Sequence, residues 1–100
     1  MTTEFALHPE GDIDIKAVPF LYREWMAAID EHHPDRLVID LSGVTFLDVR
    51  GVALIVSTYK RQRAGGGSLI VRAPRPLPKR VLTLTGVDAF VEVTSSAGRE

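Results

Sequence analysis

The sequence contains no cysteine, which removes disulfides, thiol nucleophiles and thiolate metal sites together. It also lacks any long apolar run. None exceeds the five residues of Val52 to Val56, far short of the roughly 20 residues that cross a bilayer as a helix, and the opening "MTTEFALHPEG" has no basic-then-apolar leader pattern. Neither sign of charge dominates: 12 Lys and Arg stand against 13 Asp and Glu. A net charge of -1 gives no electrostatic ground for a nucleic acid partner, which calls for a concentrated basic face. Internal repeats and low-complexity segments are also missing.

What is present suits a globular chain. The composition is 45% hydrophobic and 25% charged over 100 residues, and a chain of this size buries roughly two thirds of its unfolded surface in one core. The expectation is a single cytoplasmic domain over residues 1–100, with a core at about 10–94 and a flexible tail at 95–100.

Along the chain, Glu4 to Leu7 alternates polar and apolar residues and reads as a short strand. Pro19 suits the first turn of a helix, where a missing amide proton costs nothing. Leu21, Trp25, Ala28 and Ile29 then follow the i, i+4, i+7, i+8 pattern, which predicts a helix to about His32, closed by Pro34. "RLVIDL", Arg36 to Leu41, is dense in branched aliphatics, as a central strand is. "VTFL" continues in extended form, and Asp48 stands where a helix N-cap belongs. Val52, Ile55, Val56 and Tyr59 predict a second amphipathic helix. It ends in Lys60, Arg61 and Arg63, cations favoured at a helix C-terminus, and is stopped by the glycines at 65 to 67. Ser68 to Arg72 predicts a further strand. Leu77, Val81 and Leu84 predict a third helix ended by Gly86, and Phe90 to Val93 a last short strand. Alternating strands and helices imply an α/β fold with a partly parallel sheet.

No catalytic constellation emerges. His32 and His33 are adjacent at a helix end and lack the i, i+4 spacing of helical metal ligands, and His8 is isolated. Ser42 lies in a turn and Ser57 inside a helix, neither in a nucleophile elbow. "GGGS" at 65 to 68 follows a helix and precedes a strand, the reverse of a phosphate-cradling loop. Asp12, Asp14, Asp40 and Asp48 read as capping and loop residues. Catalytic residues, metal sites and cofactors are therefore not expected, and the chain is not expected to be an enzyme. What remains is a loop at a strand end and helix start, a position where sheet folds bind ligands or partners.

"GDIDI" ahead of Pro19, "LVIDLSGVTFLDVRGVALIV", "RAGGGSLIVRAP" and "RVLTLTGVDAFVEV" occur in this order and spacing. Together they resemble the STAS domain of bacterial anti-sigma factor antagonists. The resemblance implies a four- or five-stranded mixed sheet with helices mainly on one face, and a non-enzymatic role in partner switching. In that family the unphosphorylated protein binds an anti-sigma factor, often also a serine kinase, and so frees the sigma factor. Phosphorylation of a serine at the start of the second helix breaks the complex, since a dianion changes charge and shape where the partner fits.

The family's loop reads Asp, Ser, Ser or Thr, then Gly. Asp48 and Gly51 match the outer positions, Val49 takes the phosphoserine position and Arg50 the next. Asp14 matches an acidic residue beside the loop, while Ala17 and Val18 replace small polar residues before Pro19. The resemblance thus implies a partner-binding set of Asp14, Asp48, Val49, Arg50 and Gly51, with no phosphorylation at the usual position. Arg50 opposes the helix dipole by roughly 0.3 to 1 kcal/mol, a cost that a carboxylate of a partner, Asp48 or Asp14 would offset. A second reading is a scaffold or accessory subunit of a signalling or transporter-associated complex. The family's N-terminal hairpin has only about ten residues to form here. A missing or very short edge strand is therefore expected, leaving a sheet edge on which a second copy would pair as a homodimer.

Overall fold

Leu37, Val38 and Ile39 are at most 3% exposed, and the sheet is built outward from them. The computed structural model describes residues 2–95. Chain order is β1 (Glu4–Leu7), β2 (Gly11–Ile13), α1 (Val18–His32), β3 (Arg36–Asp40), β4 (Val44–Leu47), α2 (Val49–Ala64), β5 (Ser68–Arg72), α3 (Pro76–Leu84), a 3-10 turn at Val87–Ala89, and β6 (Glu92–Thr94). The tail expected at 95–100 lies, from residue 96 onward, outside the described residues.

Four strands form one sheet in the order β1-β3-β5-β6, and β2 with β4 form a second ladder. The α/β class and the four-strand count agree with expectation. Every pairing among the described residues is parallel, whereas the expected sheet was mixed. Helices rather than hairpins connect the paired strands, and a helical crossover returns the chain in the same direction. The short strand read at Glu4 to Leu7 is β1, four residues paired in parallel with β3 from Glu4↔Arg36 to Leu7↔Ile39. Among the described residues no hairpin partner lies on its other side, so it forms the sheet edge, in line with the expected loss of one edge strand. The two segments pair again past a bend, and after a register shift between Gly11 and Asp12 they meet as Ile13↔Leu47 between β2 and β4. Residues 4–13 and 36–47 thus run side by side as two bent ribbons. The bend is fixed by Gly11, whose positive φ of 81° suits a residue without a side chain, and by its N–H donating to the Gly43 carbonyl at 2.9 Å.

Side chains alternate across the sheet. Leu7, Leu37, Ile39, Leu69 and Val71 face the helices and join Trp25, Ile29 and Ile55 in the core. Burying each such side chain contributes about 1.5–3 kcal/mol. α1 lays Trp25, Met26, Ala28 and Ile29 on this face. It ends where His33 turns left-handed at φ 44°, ahead of Pro34. α2 buries Val52, Leu54, Ile55, Thr58 and Gln62. The two polar ones are satisfied: the Thr58 hydroxyl donates to the Leu54 carbonyl and the Gln62 amide to the Pro34 carbonyl, each at 2.7 Å.

Two expectations need correction. The stripe Leu77, Val81 and Leu84 is not the buried face of α3: Leu77 is 64% and Leu84 78% exposed, while Pro78 and Leu82 are buried. On a nine-residue helix, rows one residue apart are equally regular. The sequence pattern therefore leaves the rotation open, and packing of Pro78 and Leu82 decides it. The last strand begins at Glu92 rather than Phe90, because the 3-10 turn carries on from Gly86 and Phe90 packs on Tyr59, ring centroids 5.3 Å apart.

Candidate functional site

The C-terminal ends of β2 and β4 lie side by side and each runs directly into an aspartate. Asp14 follows Ile13, Asp48 follows Leu47, and the Asp48 N–H donates across to the Ile13 carbonyl at 3.3 Å. The Asp48 carboxylate accepts the backbone N–H groups of Arg50 at 2.9 Å and Gly51 at 3.1 Å, the N-cap its position predicts. Asp14 does the same for the amides of Lys16 and Ala17, both at 3.1 Å, but one turn ahead of its helix.

Gly51 brings the first turn of α2 hard against both strands. A Cβ there would stand 2.5 Å from Leu47 Cδ1, 2.8 Å from Ile13 Cγ2 and 2.9 Å from the Ile13 carbonyl oxygen. A side chain does not fit without moving backbone. The glycine therefore sets how close the helix lies, and with it where Val49 and Arg50 project.

Val49 is 69% exposed, and Ile15, ahead of α1, is 54% exposed. Arg50 is exposed and, among the described residues, makes no ion pair. Asp14 and Asp48 spend their carboxylates on backbone amides instead. A shallow cleft of about 310 Å³ separates Ile15, Val18 and Pro19 from Arg50, Ala53 and Ser57. The structure thus gathers all five residues singled out from the sequence at one end of the fold. Sequence reasoning missed Ile15, Ala53 and Ser57 on the walls of this cleft, whose only signal is a large or small side chain on a helix or turn that the core does not claim.

Asp40 is not part of this cluster. It ends β3, accepts the Ser42 N–H at 2.9 Å, and faces the Arg72 guanidinium at 3.1 Å, with His8 Nδ1 at 3.9 Å. Burial raises its pKa, but the Ser42 hydrogen bonds and the Arg72 charge outweigh it and hold the carboxyl below its ordinary 3.8. This is a strand-end lock. His32 stacks on Phe5 with ring centroids 4.2 Å apart. Among the described residues no group of three histidines and carboxylates could hold a metal, and no helix is long and apolar enough to cross a membrane.

The profile of the STAS domain matches residues 2–99. The chain belongs to the STAS domain family. This STAS domain is 29% identical over 87 residues to the anti-sigma-B factor antagonist of Bacillus subtilis, spanning 87% of this chain and 78% of that one. A solved anti-sigma factor antagonist from Mycobacterium paratuberculosis is 29% identical, with a TM-score of 0.85 over 95% of this chain and 80% of that one. The Bacillus anti-sigma factor antagonist SpoIIAA, solved in its unphosphorylated form, shares the fold at 19% identity, with a TM-score of 0.79 over 93% and 81% of the two chains. In this STAS domain the paired strand ends, the Asp48 cap and the Gly51 contact form one rigid platform, and its outermost side chains are aliphatic and cationic.

Proposed function

We propose that this chain is a non-enzymatic protein-binding module acting as an anti-sigma factor antagonist. It works in the cytoplasm as a single domain and takes an anti-sigma factor, or a serine kinase of that type, on Asp14, Asp48, Val49, Arg50 and Gly51. The observation that carries this reading is Val49, 69% exposed on a loop whose cap and glycine are intact. Neither Val49 nor Arg50 has a hydroxyl, so the loop cannot be switched by a serine kinase, and binding is constitutive. A projecting aliphatic group beside a cation suits a partner pocket with an apolar floor and a carboxylate rim.

The test is capture of a cognate anti-sigma factor by the purified chain. Val49→Asp places a charge where the partner packs and should weaken binding at least tenfold with the melting temperature unchanged. Equal affinity of the two proteins would remove the loop from the interface, and kinase-dependent release of the wild type would end the claim of constitutive binding. The unpaired Arg50 supports a second reading, a scaffold subunit of a signalling or transporter-associated complex. Under it, Arg50→Glu disrupts an assembly that holds no anti-sigma factor.

A further inference from the structure

Among the described residues β1 is an edge strand, paired with β3 on one side. The Thr3 carbonyl accepts the Arg36 N–H at 3.0 Å. In a parallel ladder alternate residues turn both polar groups to the same side, so Thr3, Phe5 and Leu7 bond inward, while Glu4, Ala6 and His8 present their N–H and C=O groups outward. Beside that edge lies a groove of about 460 Å³ between β1 and α1. Its lining is apolar at Phe5, Leu7 and Ala28, carries the imidazoles of His8 and of His32, the latter stacked on Phe5, and on the α1 side carries Glu24 and Glu31. Both carboxylates are without an ion pair among the described residues. They stand two helical turns apart, about 10 Å along the axis.

We propose that this groove is a second docking surface, which takes an extended basic segment of a partner protein as an added strand on β1. Main-chain bonds to Glu4, Ala6 and His8 hold the segment, and pockets for alternate side chains select it. Every second residue faces α1, so a lysine or arginine there lays its stem on the apolar lining and reaches Glu24 or Glu31 with its charge. A second copy of this chain fits the edge less well. A two-fold pairing about Ala6 would bring the acidic walls of both copies to one groove, where like charges repel.

The inference does not depend on the loop reading, since no residue of the loop lines the groove. The test uses the full chain and two labelled peptides of equal length, one alternating lysine with valine and one alternating glutamate with valine, read by fluorescence anisotropy. The basic peptide should bind at least tenfold more tightly. Ala6→Pro deletes an outward amide, which an edge strand tolerates, and should abolish binding while circular dichroism and the melting temperature hold. Glu24→Lys with Glu31→Lys should reverse the preference. Equal binding of both peptides, binding unaffected by Ala6→Pro, or a concentration-dependent dimer that Ala6→Pro dissolves would each overturn the proposal.

Discussion

The two junctions where a ribbon becomes a helix, Ile13–Asp14 into α1 and Leu47–Asp48 into α2, start alike and end differently. Both have an aspartate whose carboxylate accepts two backbone N–H groups. At the first, the chain makes an extra turn, with Ala17 and Val18 N–H groups both bonded to the Asp14 carbonyl at 3.0 Å. The helix then begins without a side-chain cap. At the second, the helix begins at once and is pressed onto the strands through Gly51. The difference teaches that a carboxylate at a strand end is enough to turn the chain. The close fit that fixes an exposed loop needs the glycine as well.

The sharpest way to break this contrast is Gly51→Val. Overpacking of this kind costs about 1–3 kcal/mol, and the blocking atom is partly backbone, so a urea midpoint should fall accordingly. Gly43→Ala is the milder counterpart: its added Cβ would stand 3.2 Å from Glu10 Cγ and 3.4 Å from the Pro9 carbonyl oxygen, against 2.5 Å for the nearest atom at Gly51, and should lower the midpoint by less than Gly51→Val does. A wild-type midpoint in Gly51→Val would mean that α2 is free to lift off the strands.

Next in size is the cap. Asp48→Ala should cost about 1 kcal/mol, the usual worth of an N-cap. Asp14→Ala should cost roughly half of that, because the carbonyl bonds of the same turn survive. Thermal unfolding of the two variants side by side decides it, and equal losses would erase the distinction between the junctions.

Smallest is the effect at the third strand-ending aspartate, Asp40. Its folded pKa lies below the ordinary 3.8, so its contribution to stability is present above that value and is lost as pH falls through the lower folded one. Arg72→Met removes one of the influences that hold it down and leaves burial less opposed. The acid-unfolding midpoint of this variant should move to higher pH, and an unmoved midpoint would mean that the Ser42 hydrogen bonds alone set the titration.

Much of this was legible in the sequence where the determinants are local. Ser68 to Arg72 is a strand to the residue because glycines and a proline bound it. Asp48 was recognisable as a cap because capping is a matter of three residues. The rotation of α3 was not, since Leu77, Val81 and Leu84 are as regular as the row that is buried. The neighbourhood of Asp14 and Asp48, 34 positions apart, followed from a resemblance and not from pattern, because strand register is a long-range property. The reason for Gly51 was equally hidden: its neighbours Ile13 and Leu47 come from two different ribbons.

The contact at Gly51 also bears on kinetics. A loop wedged between two strand ends has already lost its conformational freedom before any partner arrives, so association pays little ordering entropy there. Under the proposed function, docking at Val49 would then be rigid, with an encounter rate set by orientation and a lifetime set by how well one small aliphatic knob fills its socket.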